Sequence, residues 1–162
     1  RRWPIMPQII RPLIIQLLRS FNTAYLVLRP IEQLSWRSNL STSVNSHRRG
    51  IYNGQYSTNQ YGGSYINQAQ VNKDLFRNYT WDNIITYSEN IGNHYLEATG
   101  ISTWIKNMDE SYSSSGNNQL LDSYLFYSLG ATDPASRLIY SNYIQSQTFG
   151  LAMRLSYNYL GK

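Results

Sequence analysis

Hydrophobic and polar positions alternate most cleanly at the end of the chain. In 147–159 (QTFGLAMRLSYNY), Phe149, Leu151, Met153, Leu155, Tyr157 and Tyr159 share one parity. Thr148, Gly150, Ala152, Arg154, Ser156 and Asn158 share the other. Side chains of a strand point alternately to opposite faces, so this segment is a strand with one apolar wall and one small or polar wall. It has the length of a barrel strand crossing a bilayer, about 9–11 residues, where a soluble strand averages about 5–6. Two tyrosines close the apolar wall where an interfacial aromatic girdle would sit.

The same period recurs upstream. In 34–45 (LSWRSNLSTSVN), Leu34, Trp36, Leu40 and Val44 share a face, and Ser35, Arg37, Asn39, Ser41, Ser43 and Asn45 share the other. A mid-strand arginine is costly against lipid and welcome against a water-filled lumen. The spacing therefore predicts that Leu34, Trp36, Leu40, Phe149, Leu151, Met153 and Leu155 face lipid. It predicts that Ser35, Arg37, Asn39, Arg154 and Ser156 face the lumen. Further strands are predicted over 21–29, 79–88 and 94–104, and the final strand of the chain begins near 144. Tight turns fall at 30–33 and 89–93. Two polar stretches, 46–77 and 105–143, read as long loops. The second has room for a short helix over 119–129 and a turn at Asp133-Pro134.

Residues 1–20 differ from the rest, with three prolines and almost no Tyr or Asn; they leave room for a short helix over 13–20. The domain reading is an atypical segment, 1–20, followed by one β domain, 21–162. The rhythm of strand, short turn, strand, long loop matches outer-membrane barrels, with short turns in the periplasm and long loops outside. The expected fold class is all-β: an antiparallel transmembrane β-barrel segment of about five long strands. Five strands cannot close such a barrel, whose smallest natural forms have about eight. An open sheet in lipid leaves two unsatisfied edges. The expectation is a piece of a larger barrel, or a chain that pairs with other copies. The lack of a starting Met and of a signal peptide fits a processed chain or an internal piece.

Composition narrows the chemistry. Of 162 residues only 14% are charged and 41% are hydrophobic, with 15 Tyr. Asn, Ser, Gln, Thr and Tyr suit polar strand faces and wet loops, and also low-complexity disorder. The absence of Cys removes disulfide, thiol and zinc-thiolate chemistry. Arg1, Arg2, Arg11 and Arg19 account for four of the five net positive charges. A nucleic-acid footprint needs a clustered basic face. The one later cluster, His47-Arg48-Arg49, is read as part of a solvated loop rather than a phosphate contact.

No catalytic constellation emerges. His47 and His94 are far apart and lack a metal spacing. Asp109 and Glu110, adjacent in sequence, point to different faces of a strand. Gly62-Gly63 lacks the strand–glycine–helix context of a phosphate loop. No enzyme, metal or cofactor is expected. What remains is recognition: Tyr52, Tyr56, Tyr61 and Tyr65, with amides between them, could stack on sugar rings and bond hydroxyls. For any one of them, packing of the loops against each other above the barrel is the favoured reading.

Several ordered motifs then carry a resemblance. AYLVLRPIEQLSWRSNLSTSV, with RRGIY at 48–52, resembles a recurring hairpin of SusC/RagA-type TonB-dependent outer-membrane transporters. YTWDNIITYSENIGNHYLEATGIS and the closing FGLAMRLSYNYLGK resemble two further hairpin regions of that family. The resemblance covers 21–162. Gln33 stands where the family has Gly, and residues 1–20 match nothing in it. The resemblance implies the bacterial outer membrane and import of oligosaccharides or peptides. It implies a SusD-like surface lipoprotein as lid, and TonB coupling through plug and barrel parts outside this chain. The competing expectations are a soluble Tyr-rich β-protein binding glycan or another protein, and a small self-assembling barrel. The loops at 46–77 and 105–143 are expected outside the cell, against the lid or the substrate.

Overall fold

The computed structural model describes residues 13–57 and 66–160. They form five strands: β1 (Leu13–Ile31), β2 (Leu34–Asn53), β3 (Gln68–Ile91), β4 (His94–Asn117) and β5 (Leu138–Tyr159). These make one antiparallel sheet in the order β1-β2-β3-β4-β5, so each strand pairs with its chain neighbour. The described residues hold no α-helix. Three single 3₁₀ turns (Asp122–Tyr124, Leu129–Ala131 and Pro134–Ser136) occupy the connection between β4 and β5.

The expected class, all-β with five long antiparallel strands, is the observed one. The strands are longer than the hydrophobic pattern suggests, 19 to 24 residues each. About half of the two predicted loops is therefore strand. The β2–β3 connection shrinks from 46–77 to 54–67, and the β4–β5 connection from 105–143 to 118–137. Polar composition misled here because pairing, rather than propensity, fixes these segments. Ser113 donates to Asn72 across β4 and β3 at 2.8 Å, which makes a ladder of polar side chains out of residues that read as loop. The helix allowed over 13–20 is instead the start of β1; Ile14 and Ile15 are β-branched, and a ladder partner favours extension. The helix allowed over 119–129 reduces to two of the 3₁₀ turns.

The tight turns fall where expected and are shorter. Residues 32–33 join β1 to β2, and 92–93 join β3 to β4. Gly92 takes φ 63°, a conformation that two-residue hairpins demand and that glycine adopts without strain.

The chain divides into two compact units. Among the described residues one contains 13–18, 45–57, 66–75 and 109–143; the other contains 19–44, 76–108 and 144–160. The buried core belongs to the first: Tyr52, Ala69 and Phe126, with Val71, Leu125 and Leu129 packed against them. The second unit is a bare sheet with no buried hydrophobic residue among those described.

Candidate functional site

In the unit of 19–44, 76–108 and 144–162 the sheet sorts its side chains by face. On one face the Trp36 indole N–H donates to Asn83 at 3.4 Å, and the Trp81 N–H donates to Ser38 at 2.9 Å. Trp81 and Asn83 line an open cleft of about 380 Å³ with Trp104 and Phe149. Asn83 and Ile85 line a second, of about 460 Å³, with Leu151 and Met153. These contacts place Trp36, Trp81, Trp104, Phe149, Leu151 and Met153 on one face. Leu40 and Leu155 share the parity of Trp36 and Leu151 along their strands. Leu34 has the same parity and is half-buried at the start of β2. Near the turn the His94 Nδ1 lies 2.6 Å from the Tyr157 hydroxyl, and its ring packs 5.0 Å from that of Tyr159.

The opposite face is polar and internally bonded. The Arg37 Nε donates to Asn39 at 2.9 Å, and the guanidinium lies over the Tyr25 ring at 5.5 Å. Thr103 donates to Asp82 at 2.7 Å. Asn78 donates to Asn107, which donates to Ser146 on β5 at 3.4 Å. Ser146 fixes the parity to which Arg154 and Ser156 also belong. The structure thus brings Arg37 and Asn39 together and sets Arg154 on the strand parity that faces Asn107.

Exposure gives the apolar face its meaning. Phe149, Leu151, Met153 and Leu155 are 65–75% exposed, and Trp81 and Ile85 about half. A contiguous apolar surface of this kind marks a binding or membrane surface in a folded protein. Among the described residues no helix is long and apolar enough to cross a membrane, which says nothing of crossing by strands.

The other unit is closed by the connection between β4 and β5. Phe126 is 3% exposed and lies over Gly50, where a Cβ would overlap its ring. Leu125, just before it, has φ 49°. That conformation costs a non-glycine residue about 1–3 kcal/mol, which the burial of Phe126 offsets. Asn67 ties the connection down. Its Nδ2 donates to the Gln119 carbonyl at 2.8 Å and to Asp122 at 3.0 Å, and its Oδ1 accepts from the Gln119 N–H. The Tyr52 hydroxyl donates to Asp122. Burial, reinforced by that carboxylate, pushes the Tyr52 phenol well above its ordinary range, so it stays a neutral donor.

Tyr52 therefore leaves the recognition set: it is fully buried and serves the core. Tyr56 is 54% exposed. Tyr61 and Tyr65 lie outside the described residues. The sequence reading missed Phe126, Asn67 and Asp122. A lone Phe in a polar connection was the available signal for the first. His47 also changes role: it lies within β2, 3.5 Å from Asp74 of β3. Among the described residues no three side chains are grouped to hold a metal ion.

No family model matches this chain, and no curated protein does. Solved structures do. A structure of the RagAB peptide transporter superposes with a TM-score of 0.80 at 15% identity, covering 92% of this chain and 16% of that one. The RagAB peptide importer gives 0.80 in its closed-closed state and 0.78 in its open-open state, with the same identity and coverage. The chain spans about a sixth of the length of these neighbours. At that identity the likeness establishes a shared β-sheet fold.

Proposed function

We propose that this chain is a barrel-wall segment of an outer-membrane, TonB-dependent nutrient importer of the SusC/RagA type. The observation that carries the reading is the sorting of one sheet into an exposed apolar face and an internally bonded polar face. Lipid satisfies the first and a water-filled lumen the second. The motifs at 21–162 and the likeness to RagAB support the same reading. The unpaired edges of β1 and β5 then join further strands of the complete barrel, since a spanning sheet in lipid must close.

On this reading Leu34, Trp36, Leu40, Phe149, Leu151, Met153 and Leu155 face lipid, and Arg37, Asn39 and Arg154 face the lumen. The turns at 32–33 and 92–93 lie in the periplasm, and the connections 54–67 and 118–137 lie outside. The contribution is recognition and passage, with no chemistry on the substrate. The substrate class is oligosaccharide or peptide, a SusD-like lipoprotein forms the lid, and TonB acts through other parts of the complete protein. Tyr56, exposed on the shorter connection, is the tyrosine placed to touch substrate or lid.

Single cysteines test the faces. In the complete protein, cysteine at 37 or 154 is expected to react with a membrane-impermeant thiol reagent when the lumen is open to solvent. Cysteine at 36 or 153 is expected to stay protected by lipid. Protection at 37 and 154 with reaction at 36 and 153 would reverse the assignment.

A further inference from the structure

The basic run His47-Arg48-Arg49 is not used by the transport reading. Because it lies in a strand, its three side chains divide between faces. His47 turns to Asp74, and Arg49 shares its parity. Arg48 points the other way and lines a cleft of about 340 Å³ beneath the β4–β5 connection. Lys73 of β3, Tyr112 and Ser114 of β4, and Tyr127 of the connection line the same cleft, with Phe126 as an apolar wall. Among the described residues neither Arg48 nor Lys73 is paired with a carboxylate. The Tyr112 hydroxyl donates to Glu110 at 3.4 Å, and Glu110 does not line the cleft.

Arg48 and Lys73, both exposed, put two positive charges at one partly apolar cleft, and an anion bound there would be attracted by both. Arginine offers a planar fork that matches two oxygens, and lysine adds a compact charge. Tyr127 and Ser114 add hydroxyl donors. This donor set suits a group with about two negative charges and three acceptor oxygens, as a phosphate monoester carries at neutral pH. A single carboxylate would neutralise only one of the two charges.

We propose that the cleft lined by Arg48, Lys73, Ser114 and Tyr127 is a binding site for a phosphate monoester. The phosphate belongs either to a glycolipid headgroup or to a soluble ligand, and the chemistry of recognition is the same. The site stands on the geometry of one unit and does not depend on the transport reading.

The test uses the intact protein in detergent micelles. One arm titrates inorganic phosphate by calorimetry. The other compares lipid A with its enzymatically dephosphorylated form by native mass spectrometry. Arg48→Gln and Lys73→Gln are each expected to weaken binding about ten-fold or more, the loss typical of one charge-assisted contact. Arg49→Gln removes the same charge from the other face and is expected to leave binding unchanged. Binding of lipid A alone, lost on dephosphorylation, supports a lipid source; binding of both probes with this variant pattern supports a soluble one. Binding of neither probe overturns the proposal. So does an equal loss in Arg49→Gln, which would reduce the effect to net charge. Unchanged heat-modifiable migration of each variant on gels confirms that the fold is intact.

Discussion

Leu151→Arg is expected to cripple insertion and assembly of the complete barrel, while Ser156→Arg leaves them close to wild type. Both changes add the same side chain to β5, five residues apart, on opposite parities. Leu151 is 75% exposed on the face shared with Trp81, Ile85 and Met153, and it lines the cleft that contains Asn83. If lipid covers that face, an arginine near the bilayer midplane costs about 2–4 kcal/mol, whereas a lumen position tolerates charge. A few kcal/mol is a large part of the stability of most folds. Folding yield into bilayers, read by heat-modifiable migration on gels, separates the two variants. Equal yields would mean that Leu151 does not face lipid.

Phe126→Ala is expected to free the β4–β5 connection without unpairing the strands. Phe126 is the one large side chain that the connection buries, and it rests on Gly50, Tyr52 and Ala69. Truncating a buried Phe costs about 3–5 kcal/mol in a packed core. Here the cluster is small, so the lower end applies, about 3 kcal/mol or roughly a hundred-fold in the opening equilibrium. Limited proteolysis reads that equilibrium directly, and cleavage within 118–137 should rise by the same factor. Leu120→Ala, at a residue 86% exposed in the same connection, should change nothing. Cleavage of Phe126→Ala at the wild-type rate would show that the hydrogen bonds of Asn67 and Tyr52 hold the connection by themselves.

The parts of the fold that could be read in advance are those governed by period. A two-residue alternation put Trp36 and Leu151 in one class and Arg37 and Arg154 in the other. The contacts of Trp36 with Asn83 and of Asn107 with Ser146 sort the strands by the same parities. The turn at Gly92 was legible because positive φ selects glycine. Strand length was not legible. Beyond the apolar stretch the strands continue through Asn, Ser and Gln, and only the partner strand gives such residues a reason to stay extended. Asn72 with Ser113, and His47 with Asp74, are pairings between distant parts of the chain. Tyr52 misled for a related reason. Its neighbours Asn53 and Gly54 suggest an open loop, while the residues that bury it come from 67–126. A tyrosine's hydroxyl fits a sugar or an aspartate equally well, and sequence spacing does not choose between them.

The four tryptophans can report whether one face of this sheet meets lipid. Trp36, Trp81 and Trp104 all lie on the apolar face; Trp3 lies outside the described residues and is silenced by Trp3→Phe. The complete protein, with its remaining tryptophans replaced by phenylalanine, is reconstituted in vesicles of phosphatidylcholine brominated along the acyl chains. Fluorescence is then compared with that in unbrominated vesicles and with quenching by aqueous iodide. A lipid-facing apolar surface gives strong quenching by the brominated chains and little by iodide. Strong quenching by iodide with none from the brominated lipid would contradict it.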